Sequence, residues 1–367
     1  MKVRTLALTV LTILIVIMAQ ACGGPEEKKM KFFNKGKALY EKGEYQKARL
    51  EFKNALQVDP KFAEAYYMLG MTQFKSKKWK SSFRNLSKAV NLDPELIDAE
   101  ITLGKLLLMT KTTDKAREKA ELVLSKNPEH EEALLLKAAT LIADQKEREA
   151  EPILKSVIQR NPQRADPYLM LARINVRQKD MDGADKILQD LLALDATNRT
   201  ARLLRAQILE RTNDLSGAEQ EFQTLIAQNP DNDNFKLLIT SFYRRTNKTE
   251  KAEGILKDLI AAHPEDERFR LTLAQFYAKI NQKDAMVEVL RQATKDLPEE
   301  YGAYRTLARY FIVEKANDKA LEVLDQFMLK VRTGPNYLKA KVFKAAVLFQ
   351  EKKTADALRL VNEVLKD

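Results

Sequence analysis

Proline recurs at one phase of a fixed period, and that spacing constrains the fold more than any other feature of the chain. Pro60, Pro94, Pro128 and Pro162 are evenly spaced, Ala196 takes the next slot, and Pro230, Pro264 and Pro298 resume the series at the same interval. Earlier in each period lies a column of mostly small residues: Gly36, Gly70, Gly104, Ala138, Ala172, Ala206, Thr240, Ala274 and Ala308. Between that column and the prolines lies another: Ala48, Ser82, Ala116, Ala150, Ala184, Ala218, Ala252, Met286 and Ala320. After a short insertion around Gly334 and Pro335, Ala345 and Ala357 restore the phase. A period held this long describes a stack of like units, each burying its apolar face on its neighbours, rather than one core.

Each unit contains two stretches with apolar spacing of three and four, as in Ala48, Phe52, Ala55 and Leu56, so each is predicted to be a pair of amphipathic helices. The small columns let the two helices approach closely. Eleven Gly and eleven Pro in 367 residues are too few for a turn-rich β-architecture. A residue before proline is pushed out of the α region, so the second helix is expected to stop there and the proline to start the next one.

This pattern resembles the tetratricopeptide repeat, in its period of about 34 residues and in its small–Ala–Pro signature. The resemblance covers Lys29 to the C-terminus and implies an all-α solenoid of nine full repeats plus a partial tenth. It departs from the family at the fourth position of the unit, where an aromatic is kept in Phe32, Tyr66, Tyr168 and Tyr304 and missing in the others. Trp79, the only tryptophan, is expected in the turn between two helices. A narrower resemblance, carried by the cysteine near the start, Lys42-Gly43-Glu44-Tyr45 and Phe52-Lys53-Asn54-Ala55-Leu56, is to tetratricopeptide lipoproteins of exopolysaccharide and exosortase-type envelope systems.

That start reads as an export signal. Lys2 and Arg4 precede a charge-free run from Thr5 to Ala21, short for a membrane span and fitting a secretory leader. It ends in Ala19-Gln20-Ala21-Cys22, which resembles a bacterial lipobox, with Ala19 where Leu is usual. The expected organisation is a lipoprotein signal peptide over 1–21, a lipidated Cys22 with a short linker over 22–28, and the solenoid over 29–367. Gly23 after the cysteine, by resemblance to enterobacterial sorting, implies a lipid-anchored, periplasm-facing protein of the outer membrane. Without Lys2 and Arg4, 61 basic against 52 acidic residues leave a charge of +9. Outside the cytoplasm this excess points to acidic proteins, anionic glycans or lipid headgroups and not to nucleic acid.

Chemistry-bearing motifs are missing. Two histidines, His130 and His263, both expected in loops, and one cysteine argue against a metal centre, a cofactor site or a cysteine–histidine dyad. No phosphate-binding glycine loop, HExxH or Gly-x-Ser-x-Gly sequence occurs. The carboxylates are expected on solvated helix faces. The reading is a non-enzymatic scaffold.

In the repeat family the first helix of each unit lines the binding surface, through its fifth, ninth, twelfth and thirteenth residues. Units one to four would present Phe33, Tyr67, Met71 and Phe74, together with Tyr40, Leu108, Met109, Leu135 and Ile142. Later units would present Arg173, Arg177, Arg211, Arg244, Arg245 and Lys279. Arg177, Arg211, Arg245 and Lys279 form a ladder of like charges one period apart. Either the ladder is a basic groove for an acidic ligand, or it is a set of cations complementing helix C-termini. The first reading suits protein partners of an envelope complex; an anionic exopolysaccharide is the alternative ligand.

Overall fold

The computed structural model describes residues 24–365; the leader and Cys22 lie outside the described residues. Twenty α-helices, and no strand, are found among them, arranged as ten helical hairpins. Hairpins 1 to 5 are α1 (Pro25–Glu41) and α2 (Tyr45–Val58), α3 (Ala63–Lys75) and α4 (Trp79–Leu92), α5 (Ile97–Met109) and α6 (Thr113–Lys126), α7 (Glu131–Ala143) and α8 (Glu147–Arg160), and α9 (Ala165–Gln178) and α10 (Met181–Leu194). Hairpins 6 to 10 are α11 (Arg199–Arg211) and α12 (Leu215–Gln228), α13 (Asp233–Arg245) and α14 (Thr249–Ala262), α15 (Glu267–Lys279) and α16 (Lys283–Asp296), α17 (Tyr301–Val313) and α18 (Asn317–Lys330), and α19 (Pro335–Gln350) and α20 (Thr354–Val364). The tenth unit thus has both helices. Residues up to Ala201 and residues from Arg202 form two compact units, divided inside α11.

The small columns sit where the helices of a hairpin cross. A Cβ at Gly36 would lie 2.6 Å from Cε1 of Phe52, and one at Gly70 would lie 2.8 Å from Cγ of Leu86, so only glycine admits the partner helix at those crossings. Ala48, Ala116, Ala150, Ala184, Ala218 and Ala252 are fully buried. Large side chains from the flanking turns, such as Phe52, Leu154, Leu188 and Phe242, fill the space around them.

Two turns join the helices, and they solve different problems. Within each hairpin the first helix ends on a left-handed residue: Gly43 in the first, then Lys77, Lys111, Gln145, Lys179, Asn213, Asn247, Asn281, Lys315 and Lys352. The next N–H reaches back to a helical carbonyl, as in Lys78 to Gln73 at 2.8 Å and Gln282 to Tyr277 at 2.9 Å. This closes the helix end with glycine in the first hairpin and without it in the others. Between hairpins the periodic proline does not start the next helix, contrary to expectation. It lies inside a tight turn closed by Phe62 N–H to Asp59 at 3.2 Å and His130 N–H to Asn127 at 3.1 Å. Proline is held at the second turn position, where its fixed φ is preset, and the helix begins just beyond the turn. Outside the periodic series, Pro25 and Pro335 are the first residues of their helices and Pro167 lies in the first turn of α9.

Trp79 is also displaced from expectation: it is the first residue of α4, packed edge-on against Phe74 at 5.3 Å. In α20, Leu358 and Val361 are exposed, as is Leu365 just beyond it.

Enlarging a crossing residue should overpack its hairpin. Ala218→Leu or Ala252→Leu is expected to cost about 1–3 kcal/mol. Because each hairpin leans on its neighbours, probes on different hairpins should then report separate denaturation midpoints. One unchanged transition in both variants would refute this placement.

Candidate binding surface

Where the fourth position of a unit lacks its aromatic, it most often carries a charge that crosses to the second helix. Glu100 of α5 is buried against Lys119 of α6 at 2.9 Å. Arg202 of α11 reaches Glu221 of α12 at 2.7 Å, with Arg205 on the other oxygen of that carboxylate. Arg270 of α15 donates to the Pro264 carbonyl at 2.7 Å and meets Asp296 of α16 at 3.2 Å. Lys341 of α19 meets Glu363 of α20 at 3.2 Å. Glu51, Glu100 and Glu221 are therefore buried, not spread over solvated faces as expected. The signal was a complementary charge at one repeated offset along the chain, from Glu100 to Lys119 and from Arg202 to Glu221.

Charge also links successive hairpins. Glu267, at the start of α15, accepts the Gly302 N–H at 3.2 Å and the Ala303 N–H at 2.6 Å, capping α17; burial pushes its pKa up despite those two donors. Glu219 of α12 is held by Lys248 at 2.5 Å and Lys251 at 2.7 Å and accepts the Tyr243 hydroxyl at 2.8 Å. The two lysines, Lys248 first, bring its pKa down to about 2. Burial and the adjacent carboxylate push the Tyr243 hydroxyl up to about 12.

The expected apolar stretch is divided between core and surface. Phe33 packs against Phe62 at 4.8 Å and Phe52 at 5.8 Å, so most of its ring serves the first hairpins. Leu135 is buried. Tyr67 and Phe74 pack beside the third hairpin's core, and Met71 is half-buried. Burial raises the Tyr67 pKa.

The ladder is not a run of like charges. In the unit up to Ala201, Arg177 pairs with Glu147 at 2.8 Å and donates to the Ile142 carbonyl at 3.1 Å, while Arg173 is exposed. In the unit from Arg202, Arg245 makes a two-pronged pair with Glu210 at 2.6 and 2.8 Å, which raises its pKa. Carboxylates are thus interspersed after all, and removing Arg245 would strand Glu210. Arg211, Arg244 and Lys279 make no ion pair among the described residues. Arg244 and Lys279 flank a cleft of about 100 Å³ between the first helices α13 and α15, beside Ser241, Thr272 and Gln275, with Leu237 and Phe276 on its apolar side. Arg211 borders a second cleft of about 360 Å³ with Gln207 and the Glu210–Arg245 pair.

The histidines serve turns: His130 Nδ1 accepts the Ala133 N–H at 3.3 Å, and His263 Nε2 lies 2.9 Å from Asp233. No cluster of His, Cys, Asp or Glu suited to a metal occurs among the described residues. No helix among them is long and apolar enough to cross a membrane.

Family models place repeats directly on the chain: one described as "TPR repeat" matches residues 36–77, and one described as "Tetratricopeptide repeat" matches 141–208 and 176–242. The fold is a tetratricopeptide-repeat solenoid. A tetratricopeptide repeat protein from Parabacteroides merdae ATCC 43184 is 18% identical, covering 68% of this chain and 98% of its own with a TM-score of 0.52. PilW, a widely conserved type IV pilus biogenesis factor, is 17% identical over 57% of this chain and 98% of its own, with a TM-score of 0.51. Both likenesses are of fold. No curated protein matches. In a tetratricopeptide solenoid the first helices form the usual surface for protein segments, and Arg211, Arg244 and Lys279 stand on three consecutive ones.

The Glu219 cluster sets an acid-sensitive contribution to stability. Its folded pKa lies below the ordinary value of 4.5, so the contribution is complete above pH 4.5 and lost as pH falls through about 2. Glu219→Gln should cost about 1 kcal/mol near neutral pH, the half-exposed lysines being partly screened. The gap between the two melting curves should close over that acid window; a gap constant with pH would refute the assignment.

Proposed function

We propose that this protein is a lipid-anchored, non-enzymatic scaffold on the periplasmic face of the outer membrane, holding acidic segments of envelope-complex proteins on its first-helix surface. The anchor reading rests on Cys22 at the end of a charge-free leader. The binding reading rests on one observation: Arg211, Arg244 and Lys279, on three consecutive first helices, have no counter-ion among the described residues, whereas Arg245 beside them is neutralised by Glu210. An acidic ligand supplies the missing charge and releases bound counterions. Leu237 and Phe276 beside Arg244 and Lys279 favour a polypeptide with apolar side chains over an anionic exopolysaccharide.

Arg211→Glu with Arg244→Glu should weaken binding of a Glu- and Leu-rich peptide about tenfold at low salt and less at high salt, with helicity unchanged. Equal affinity in wild type and variant would reduce these cations to helix-end electrostatics. An anionic polysaccharide that binds while the peptide does not would favour the glycan ligand. For the anchor, metabolic labelling with a fatty-acid analogue should mark the wild-type protein and not Cys22→Ser. Equal labelling of the two would sink it.

A further inference from the structure

On the opposite, second-helix side, hairpins 7, 8 and 9 repeat one arrangement and then break it. In hairpin 7 the Tyr243 hydroxyl meets Glu219 of the preceding second helix, and Lys251 lies over the Tyr243 ring at 5.4 Å while its ammonium pairs with that carboxylate. In hairpin 8 the equivalent Tyr277 meets Glu253, which Lys257 holds at 2.6 Å. One period further on, the carboxylate position is Val287 and the tyrosine position is Phe311. The cations stay: Arg291 stands one period after Lys257, and Lys319, two periods after Lys251, lies over the Phe311 ring at 5.9 Å.

The groove is also left open. In hairpin 8 the fourth-position Arg270 ties the Pro264 turn to Asp296. In hairpin 9 that position is Tyr304, whose hydroxyl turns to the Thr294 carbonyl at 3.1 Å. A cavity of about 750 Å³ results between α16 and α18, with Tyr304, Leu307 and Phe311 of α17 at its base. Arg291, Lys295, Lys319 and Lys330 line it, and none forms an ion pair among the described residues. Its single carboxylate, Glu322, accepts from Gln326 at 3.2 Å.

We propose that this cavity is a second acceptor site, for an acidic segment of a partner protein whose carboxylate takes the place that Glu219 and Glu253 fill in the two preceding hairpins. The internal occupant of the equivalent positions is a glutamate side chain packed beside an aromatic ring, which fits a protein acid better than a sugar acid. The cations also stand at more than one level: Lys319 and Lys330, near opposite ends of α18, are separated by about 16 Å along the helix axis. A segment with several acids spans that length; a single small anion does not.

The test uses the Arg211→Glu/Arg244→Glu protein, in which the first-helix surface is weakened, and a fluorescent oligo-glutamate peptide. Residual, salt-sensitive binding is expected there. Adding Val287→Glu restores the missing internal carboxylate and should weaken the residual binding about tenfold. Arg291→Ala with Lys319→Ala should do the same without placing a charge at a half-buried position, and melting curves verify that each variant is folded. No residual binding, or residual binding untouched by both changes in folded protein, would overturn the proposal. So would a polyuronate that binds the site more tightly than the peptide.

Discussion

The fold depends on how close two helices can come. At each crossing one helix must present hydrogen or methyl, because a larger group at Gly36 or Gly70 would sit inside the ring of Phe52 or the branch of Leu86. Once the backbones are that near, the residues a turn away are forced into face-to-face contact, and whatever stands there must be complementary. The fourth-position Tyr304 of α17 against Phe327 of α18, ring centroids 5.2 Å apart, is one solution. Buried Glu100 against the half-buried Lys119 is another, which takes a carboxylate out of water and so does not tolerate loss of the lysine. The aromatic-to-charge exchange at the fourth position is thus a substitution of one complementary contact for another at a spacing the crossing has already set.

Features written into every unit were legible in the sequence. Repetition supplied the helices, the small columns and the period, since each unit confirms the phase of the one before. What repetition conceals is anything whose occupant changes. The left-handed column is occupied by Gly43 once and by Lys, Gln or Asn afterwards, because the back-reaching hydrogen bond holds the backbone whichever side chain is present. The proline column fixed a boundary but not its sense: a residue with preset φ suits a turn's second position as well as a helix start, and the Asp59–Phe62 closure decides between them. Residues 1–23 lie outside the described structure, so the leader and Cys22 rest on the order of residues alone.

The pairing of the surface charges is hidden in the sequence for a related reason. Comparing one column with itself finds Arg177, Arg211, Arg245 and Lys279 and misses carboxylates that belong to other columns. Glu147 approaches Arg177 from the preceding hairpin, and Glu210 approaches Arg245 in the same way. A ladder of like charges in sequence is therefore compatible with alternating charge in space. The informative positions are those where the partner column lapses, since a cation retained after its carboxylate has gone has lost its structural reason.

That criterion separates surplus charge from architectural charge. Lys248 and Lys251 are tied to Glu219, and Lys257 to Glu253, so these lysines are accounted for by the stack itself. Lys319 keeps the geometry of Lys251 over an aromatic ring, but the position one period after Glu253 is Val287 and not a carboxylate. Packing alone does not require an ammonium there, because apolar atoms would cover Phe311 with no desolvation penalty. The same reasoning sets Arg244 and Lys279 apart from Arg245. The net charge of +11 is then not a diffuse property of the surface. In the unit from Arg202, part of it collects on two faces where an internal acid has been omitted, and those are the places where an external acid gains most by binding.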